Sequence, residues 1–464
     1  MKLTKYTLIL VGILILASAL MLFRLETKSY WGDEIFSVTH IQKDVWSILV
    51  GEDEPGNPPL YFLLLHYWII LFGTGEFAVR FLSVIFGVLS VYVTYNLGKL
   101  FFGEKEGLVS AFLLLVSHTF IAQAQDARAY TLFTFLSLLS LYFFWKMMKS
   151  GENKYLLAYV LSTVLALCSH YSAFLVVVIE FIFFVIQRKA ASISTKKFFS
   201  VLSILFVLYL PFTILFVGNA IDRVKSNTEE ESIVRAAELW GIDPSTAFFG
   251  ILAAFSNTKY AIPLFLLPLL YGTYACWKTD KEKYLLLGLW VLLPVVAVFL
   301  LSFKMILGFK YIIFTFPVFL LLVSKGLTSI KNVSILALLL LLMLGSAGVR
   351  LADYYGSEKQ DWRSAATFVD ANVRTDMVVV QPHWARKYFW FYSNLNQTQI
   401  KGITEENGLP SKTIEVSSNN TRVWVVYSDE NKMFDVNERI VDWLDKNCGR
   451  RAEFAEITVY LCSS

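Results

Sequence analysis

Charged residues are scarce in most of this sequence, and the exception is its last quarter. They make up 17% of the 464 residues, whereas a typical soluble domain has about 25%. Residues 350–464 contain 14 Lys and Arg and 16 Asp and Glu, which is an ordinary soluble density of about 26%. The density over residues 1–349 is only about 14%. We therefore predict a polytopic membrane region followed by one small soluble domain, which excludes a soluble enzyme, a single-span receptor, a disordered chain and an outer-membrane barrel.

Several motifs of soluble catalysis and binding are also missing. The sequence contains no GxxxxGK[ST], GxGxxG or HExxH motif, so neither an ATP-driven pump nor a nucleotide-sugar Rossmann domain is indicated. No basic tract is long enough for nucleic-acid binding, and the net charge is only +4. If the protein acts on a sugar, the sugar would not come from a soluble nucleotide-sugar. A lipid carrier is then the physical candidate for bringing the sugar to the protein.

Cysteine is rare, with four residues in the chain. Cys168 and Cys276 lie in apolar segments, where inert packing is the simplest role. Cys448 and Cys462 lie in the soluble tail, 14 residues apart. They could form a disulfide only if the tail faces an oxidising compartment, and the sequence leaves this pairing open.

The apolar stretches predict about 11 transmembrane helices. The first follows Lys2 and Lys5 and resembles a signal peptide with an Ala17-Ser18-Ala19 cleavage site. We favour an uncleaved span there, because the later spans depend on its orientation. The predicted spans are 6–23, 78–102, 107–124, 129–148, 155–168, 171–187, 199–218, 260–277, 284–303, 309–324 and 333–349.

The positive-inside rule decides the status of one further apolar stretch, residues 58–72. If it does not cross the bilayer, 16 of the Lys and Arg residues near the span ends fall on the cytoplasmic side, namely Lys2, Lys5, Lys99, Lys105, Lys146, Lys149, Lys154, Arg188, Lys189, Lys196, Lys197, Lys278, Lys281, Lys283, Lys325 and Lys331. If it crosses, 14 of those 16 move outside. We therefore predict an interfacial helix at 58–72 in a plasma-membrane protein with a cytoplasmic N-terminus. The loops 24–77 and 219–258 and the tail 350–464 are then extracytoplasmic.

This topology gathers most of the unusual polar residues at the outer face, which predicts a site there. Asp33 and Glu34 are either part of a solvated loop or include a general base whose pKa is raised by partial desolvation. Arg128 either pairs with Asp126 or binds a phosphate in bidentate fashion. The residues gathered at this face are Asp33, Glu34, Arg80, Asp126, Arg128, His170, Lys304 and Lys310.

The histidine and the two lysines also have a simpler interpretation. His170 is more typical of a packed interfacial residue than of a metal ligand, and no HxH or HxxxH spacing supports a metal site. Lys304 and Lys310 could snorkel to the surface or act as point charges on a phosphate.

The order of these motifs along the chain resembles that in the C-type membrane glycosyltransferases. The similar group is family 39-like and comprises dolichyl-phosphate-mannose protein mannosyltransferases and aminoarabinose transferases. WGDE (31–34) resembles its first-loop acidic motif, and QAQDARAY (123–130) its Q-E-A-R-x-Y turn with Asp126 in place of Glu. The other similar segments are NPPLYFLLLHYWIILFGTGEFAVRFLSVIFG (57–87), SHYSAF (169–174), FKYIIFTFPVFLLLVSKGL (309–327, with Lys310 in place of Arg) and KQDWRSAATFV (359–369).

Two departures from the family pattern narrow the substrate. Aminoarabinose transferases usually carry Lys before the Pro-Pro pair, where this chain has Asn57, which argues against that lipid A modification. The tail also lacks a W-W-D signature, which disfavours en bloc transfer of an oligosaccharide.

The resemblance implies a C-type fold and a single inverting transfer from a polyprenyl-phosphate monosaccharide to a lipid, glycan or protein acceptor. Asp33 would take the proton of the acceptor hydroxyl, with Glu34 helping to position it. Cations would neutralise the phosphate, namely Arg128, Lys310, Arg80 and Lys304. No cofactor is implied with certainty, although a divalent cation is compatible with this chemistry. The implied substrate-binding residues are Asn57, His66, Asp126, Tyr130, His170 and Tyr171.

Two alternatives remain at this stage, a flippase for lipid-linked sugars and a non-catalytic scaffold. A transporter should place ionisable residues near the bilayer midplane, and here Glu180 is the main residue of that kind. In the tail, alternating signals predict a small α/β domain. Its predicted strands are 377–381, 422–428 and 456–462, and its predicted helices are 386–394 and 437–447.

Overall fold

The fold is described from a computed structural model. It covers residues 4–51, 57–225, 244–302, 308–357, 359–382, 385–402, 422–428 and 439–463. The chain forms two compact units, which are not the contiguous blocks expected from the sequence. Unit 1 comprises Met1–Phe23 and His40–Tyr354, and unit 2 comprises Arg24–Thr39 and Tyr355–Ser464.

Helices dominate the chain. Short 3-10 helices lie at Lys259–Ala261, Phe309–Thr315 and Gln397–Gln399. In chain order the described α-helices are α1 (Lys5–Leu22), α2 (Gly32–His40), α3 (Val45–Val50), α4 (Leu60–Phe72), α5 (Glu76–Phe101), α6 (Glu104–Leu115), α7 (His118–Ala124), α8 (Tyr130–Ser150), α9 (Asn153–Ser169), α10 (Ala173–Gln187), α11 (Thr195–Lys225), α12 (Pro244–Phe255), α13 (Ile262–Thr279), α14 (Lys281–Leu301), α15 (Phe316–Ser329), α16 (Val333–Gly356), α17 (Trp362–Asn372), α18 (Arg386–Tyr392) and α19 (Arg439–Asn447).

The predicted spans all fall on helices of unit 1, which is a multi-pass membrane domain. Among the described residues, eight helices are long and apolar enough to cross a bilayer, or nine if one bent pair counts as a single span. Helices α9 and α10 have 17 and 15 residues, so the predicted count of about 11 is reached only when these shorter apolar helices are included. The stretch predicted as an interfacial helix forms α4, and its position relative to the bilayer stays a prediction.

One predicted span, 107–124, is broken. Helix α6 ends at Leu115 and α7 begins at His118, and the two axes differ by 68°. Ser117 has an extended backbone, and its hydroxyl accepts a hydrogen bond from the amide of Phe120 at 3.5 Å. The hydroxyl therefore caps a new helix instead of continuing the old one, and the polar Ser117-His118 pair is the sequence signal for this break.

Close helix packing in unit 1 depends on small residues. A Cβ atom added at Gly272 of α13 would overlap the backbone of α15, and one added at Gly326 of α15 would overlap the backbone of α13. Small residues let two membrane helices approach closely where larger side chains would separate them. This pair of glycines therefore fixes the crossing of α13 and α15.

Unit 2 is an α/β domain with a five-stranded mixed sheet. The strand order is β2-β1-β3-β5-β4, with β1 parallel to β2 and β3, and β5 antiparallel to β3 and β4. The three predicted strands and both predicted helices are confirmed, whereas β2, β4 and α17 were not predicted. The strands are β1 (Met377–Gln381), β2 (Ile400–Gly402), β3 (Arg422–Ser428), β4 (Gly449–Phe454) and β5 (Ile457–Ser463).

Alternation along the strands gives the sheet two buried faces. Val378 and Val380 face a core that includes Trp362 of α17 and Phe389 of α18. Val379, between them, faces a second core that includes α19. A disulfide joins Cys448 to Cys462 beside that second core, so the pairing that the sequence left open is present.

The segment Arg24–Thr39, which belongs to the predicted outer loop 24–77, packs as part of unit 2. The Tyr30 amide donates to the Tyr392 hydroxyl at 2.7 Å, and the Ser29 hydroxyl donates to the Gln360 carbonyl at 2.5 Å. The Arg363 guanidinium donates to a backbone carbonyl of the same segment at 2.9 Å. These contacts satisfy the polar backbone of the segment.

Candidate active site

The predicted acids lie in the first turn of α2, in unit 2. Glu34 is completely buried. Its carboxylate accepts a hydrogen bond from the Trp31 amide at 3.3 Å and lies 3.9 Å from the Nζ atom of Lys359. The Lys359 ammonium also lies over the Trp31 ring, 5.6 Å from its centroid. Glu34 is therefore held in an ion pair, and a negative charge there is further favoured by the helix N-terminus.

Asp33 differs from its neighbour in exposure. Its side chain is half-buried, and its backbone carbonyl accepts a hydrogen bond from the Ser37 hydroxyl at 3.0 Å. Adjacent residues on a helix point in different directions. The side chain of Asp33 is therefore more accessible than that of Glu34.

A Cβ atom at Gly32, just before these acids, would collide with the Tyr388 ring of α18. The glycine in the WGDE motif is therefore a packing requirement within unit 2.

Unit 1 brings together a second group of predicted site residues around the turn between α9 and α10. We call this group the cation–aromatic cluster. The His170 ring stacks on Phe133 at 4.7 Å and on Tyr171 at 4.5 Å between centroids. The Nζ atom of Lys310 lies 5.8 Å from the centroids of both the Tyr130 and Tyr311 rings. The members of the cluster are Arg128, Tyr130, Phe133, His170, Tyr171, Lys310 and Tyr311.

The cluster keeps His170 neutral. Burial lowers the pKa of His170 to about 3, and the positive charges of Arg128 and Lys310 act in the same direction. The Nδ1 atom of the ring accepts a hydrogen bond from the Ser172 amide at 3.1 Å, so the proton of the neutral ring lies on Nε2. The cluster therefore carries two cations and neutral hydrogen-bond donors.

The position of Arg128 is fixed through its backbone. Its carbonyl accepts a hydrogen bond from the Ser83 hydroxyl at 3.3 Å, and the Thr131 hydroxyl donates to the Ser83 carbonyl at 2.9 Å. The Gln125 amide donates to two carbonyls at the end of α1, Met21 at 2.9 Å and Phe23 at 2.8 Å. The turn that carries Arg128 is therefore tied to both α1 and α5.

The remaining predicted residues of unit 1 have varied surroundings. Arg80 and Asp126 are buried, at 2% and 7% exposure. The Nδ1 atom of His66 contacts the Ile41 carbonyl at 2.6 Å, which ties α4 to the chain after α2. Asn57 is half-buried before the start of α4, and Lys304 lies outside the described residues.

Sequence reasoning missed several contributors to these sites. Lys359 lies in the motif KQDWRSAATFV but was not predicted as a site residue. The neighbouring sequence carries no signal that it pairs with Glu34, which lies more than 300 positions earlier. In the sequence, Phe133 cannot be distinguished from the other apolar residues of α8. Its stacking on His170 assigns it to the cluster. Within the described ranges, no group of three or more His, Cys, Asp or Glu residues could hold a metal ion.

The cation–aromatic cluster is suited to an anion. A guanidinium, an ammonium and an Nε2–H donor can neutralise and orient phosphate oxygens, and the aromatic faces can pack on a sugar or on an isoprenoid. The Asp33 segment supplies carboxylates. The chain thus contains the two chemical parts that a transfer from a phosphate leaving group requires.

Comparison with solved structures defines the class of fold. The chain is similar to ArnT from Cupriavidus metallidurans in the apo state, with a TM-score of 0.59 and 12% identity over 97% of both chains. It is also similar to ArnT bound to undecaprenyl phosphate, with a TM-score of 0.57 and 13% identity over 97% of both chains. The oligosaccharyltransferase AglB of Archaeoglobus fulgidus, in complex with an inhibitory peptide and a dolichol-phosphate, aligns with a TM-score of 0.59 and 13% identity over 97% of this chain and 74% of that one. The chain therefore has the C-type glycosyltransferase fold.

Sequence comparison finds a family similarity over part of the chain. Residues 56–215 match the family described as dolichyl-phosphate-mannose-protein mannosyltransferase. Together with the shared fold, this match makes residues 56–215 similar to the dolichyl-phosphate-mannose-protein mannosyltransferase family. An uncharacterized protein of Aquifex aeolicus is 24% identical over 209 residues. That alignment covers 44% of this chain and 42% of the relative, so the chain spans less than half of the curated relative that it matches.

Proposed function

We propose that this protein transfers a single sugar from a polyprenyl-phosphate-linked donor to an acceptor hydroxyl at the extracytoplasmic face of the membrane. The cation–aromatic cluster is the observation that carries the proposal, because its two cations and neutral donors match a phosphate leaving group. ArnT and AglB, which share the fold, were solved with undecaprenyl phosphate and a dolichol-phosphate. A lipid, a glycan or a protein can supply the acceptor hydroxyl, and membrane lipids surround the spans.

Two observations support the extracytoplasmic orientation. Most of the cations near the span ends, 16 Lys and Arg residues, fall on the cytoplasmic side when the N-terminus is cytoplasmic. The Cys448–Cys462 disulfide lies in unit 2, and disulfides persist in oxidising compartments outside the cytosol. Both observations support a position of unit 2, and with it Asp33, outside the cytoplasm.

The proposed reaction is one inverting displacement. The acceptor oxygen attacks the anomeric carbon of the donor, the bond from that carbon to the phosphate oxygen breaks, and Asp33 accepts the proton of the acceptor hydroxyl. Polyprenyl phosphate leaves as an anion, so no general acid is required. Arg128 and Lys310 neutralise the charge that grows on the phosphate oxygens, while Glu34 holds the α2 segment in place.

The remaining predicted residues have supporting roles in the proposal. Arg80 and Lys304 add positive potential for the phosphate. Contacts with the sugar or the lipid are assigned to Asn57, His66, Asp126, Tyr130, His170 and Tyr171.

A transfer assay with the purified protein in liposomes tests the proposal. The donors are radiolabelled polyprenyl-phosphate sugars and the acceptor is crude membranes. We expect Asp33→Asn to lower the transfer rate by about 10²–10⁴-fold, the range of general base catalysis. Glu26→Gln is the matched control, because it removes an exposed carboxylate from the same segment and should keep the wild-type rate.

Donor binding separates the two proposed roles. Arg128→Gln should weaken donor binding by at least about tenfold, since a charged hydrogen bond contributes about 1.5–3 kcal/mol, whereas Asp33→Asn should leave binding unchanged. Arg188→Gln, at the end of α10, is the control for loss of an exposed arginine.

Equal transfer by wild type and Asp33→Asn would remove Asp33 from the mechanism. Movement of labelled lipid across the bilayer without any transfer would replace the transferase with a flippase.

A further inference from the structure

A cavity lies in unit 1, apart from the residues of the cation–aromatic cluster, and its mainly apolar lining includes several polar side chains. Its volume is about 460 Å³, which is within the range of ligand sites. Helix α7, the end of α12 with the loop after it, and α16 all contribute to its lining. The lining residues that matter here are His118, Thr119, Asn257, Lys259, Tyr260 and Arg350.

Side-chain contacts hold the walls of this cavity together. The Nδ1 atom of His118 lies 3.2 Å from the Oδ1 atom of Asn257. The Nε atom of Arg350 donates to the Asn257 carbonyl at 3.2 Å, and the Thr119 hydroxyl donates to the Ala254 carbonyl at 2.7 Å. Asn257 thus links α7 to α16.

The backbone of Asn257 is itself unusual. Its φ of 65° lies in the left-handed region, which costs free energy for any residue but glycine, although Asn tolerates it better than most. The contacts with His118 and Arg350 hold it there. Strained residues that are held by their surroundings are common at ligand sites.

The cavity presents donors and positive charge. None of the described residues that line it is acidic, and two of them, Lys259 and Arg350, are cations. Asp353 contacts the Nη1 atom of Arg350 at 3.4 Å, but that side chain is 61% exposed, so solvent screens the pair. Within the described residues, the Nη2 atom of Arg350 makes no hydrogen bond and remains available to a ligand.

The opening of the cavity has the character of a membrane interface. Tyr260 is 81% exposed, and the Nζ atom of Lys259 lies 5.2 Å from the centroid of its ring. Tyrosine rings with neighbouring lysines are enriched at lipid headgroup level, where one end is apolar and the other is wet. Phe309, which also lines the cavity, directly precedes Lys310 in the chain, so the two sites share one short 3-10 helix.

We propose that this cavity binds a phosphate ester, as the headgroup of an anionic lipid or as a soluble ester. The guanidinium of Arg350 and the ammonium of Lys259 supply the charge, and the side-chain amide of Asn257 supplies a neutral donor. The proposal does not rest on the transferase function, because it concerns different residues and requires no sugar donor.

The test measures binding to the purified full-length protein by native mass spectrometry, with no polyprenyl donor present. The probes are dioctanoyl phosphatidylglycerol, glycerol 3-phosphate and, as a zwitterionic control, dioctanoyl phosphatidylcholine. The wild type should bind at least one of the two anionic probes more tightly than phosphatidylcholine. Binding of phosphatidylglycerol alone would identify a lipid headgroup, and binding of glycerol 3-phosphate as well would identify a site open to soluble esters.

Variants localise the binding to the cavity. Lys259→Gln with Arg350→Gln should weaken the anionic probes by at least tenfold, and Arg350→Lys should lie between this variant and the wild type. Lys278→Gln is the matched control, because Lys278 lies over the Tyr274 ring at 5.6 Å near the other end of α13 and should leave binding unchanged.

Folding does not confound this test. Lys259 is exposed, so Lys259→Gln alone removes one of the two charges without disturbing a buried contact, and it should weaken binding by a few-fold. Equal affinity of the wild type and the double variant for the anionic probes would overturn the proposal. Failure of the wild type to prefer an anionic probe over phosphatidylcholine would do the same.

Discussion

Among the residues that the structure describes, two glutamates are completely buried, one in each unit, and their partners differ in kind. Glu34 in α2 accepts from a backbone amide and lies 3.9 Å from the Lys359 ammonium. Glu180 in α10 accepts from the Tyr159 hydroxyl at 2.8 Å and from the Ser140 hydroxyl at 3.0 Å. Unit 2 thus buries a carboxylate beside a cation, whereas the membrane unit buries a carboxyl group among neutral donors.

The difference separates a requirement for charge from a requirement for shape and hydrogen bonding. A buried charge is tolerated when it is paired, and removing one partner leaves the other uncompensated. A carboxyl group that meets only hydroxyls can be replaced by an amide of the same shape, which also accepts hydrogen bonds. Glu180 was the main residue favouring a transporter, and its hydroxyl partners within unit 1 give it a structural role.

The largest expected effect is that of Glu34→Gln. The substitution keeps the shape but removes the negative charge beside the Lys359 ammonium, and we expect unit 2 to lose about 3 kcal/mol of stability. Faster hydrogen–deuterium exchange of the amides in Gly32–His40 would report the loss. Adding Lys359→Met should restore part of the protection, and a Glu34→Gln protein with unchanged exchange would contradict the need for charge.

Glu180 should respond differently to the same substitution. Glu180→Ala leaves the Tyr159 and Ser140 hydroxyls buried without a partner, so we expect a loss of about 2 kcal/mol. Glu180→Gln keeps an acceptor and should cost less than about 1 kcal/mol. The melting temperature in detergent checks both variants, and equal losses for Ala and Gln would show that the charge of Glu180 matters after all.

A smaller effect is expected from His170, which is buried beside two cations. The pKa of His170 is about 3 in the folded protein and about 6.5 when unfolded. Between these values the unfolded state binds the extra proton, so stability falls as the pH drops below 6.5. We expect His170 to account for a loss of roughly 1 kcal/mol between pH 7 and pH 5.5.

Melting curves of the wild type and His170→Asn over this pH range isolate the contribution. The variant has no imidazole at this position and should show the shallower pH dependence. If both proteins lost stability in parallel, the titration would belong to other groups.

Much of the fold could be predicted from the sequence because membrane spans carry a strong local signal. Apolar length located the helices of unit 1, and short runs rich in β-branched and aromatic residues located β1, β3 and β5. The misses have local causes: β2 has only three residues, β4 (GRRAEF) carries three charges, and the break at Ser117 depends on a cap that competes with a continuing helix.

The sequence predicted which residues form the candidate site, but only partly how they are arranged in space. Arg128, His170 and Lys310 were singled out from their unusual polarity, and the structure places them in one cluster. The cavity around Asn257 and Arg350 was not predicted, because neither residue stands in a motif and the contact between them spans 93 positions.

The sequence alone determined that this is a multi-pass membrane protein with a small α/β tail. Hydropathy and the short strand-forming and helix-forming segments are local signals, which can be recognised within a few residues. It also carried the family resemblance, which depends on short motifs in a fixed order. Only the tertiary structure decided that Arg24–Thr39 packs with the tail, that Glu34 is paired while Asp33 stays accessible, and that His170 is neutral. Those properties depend on partners far away in the chain, and burial and charge act through space.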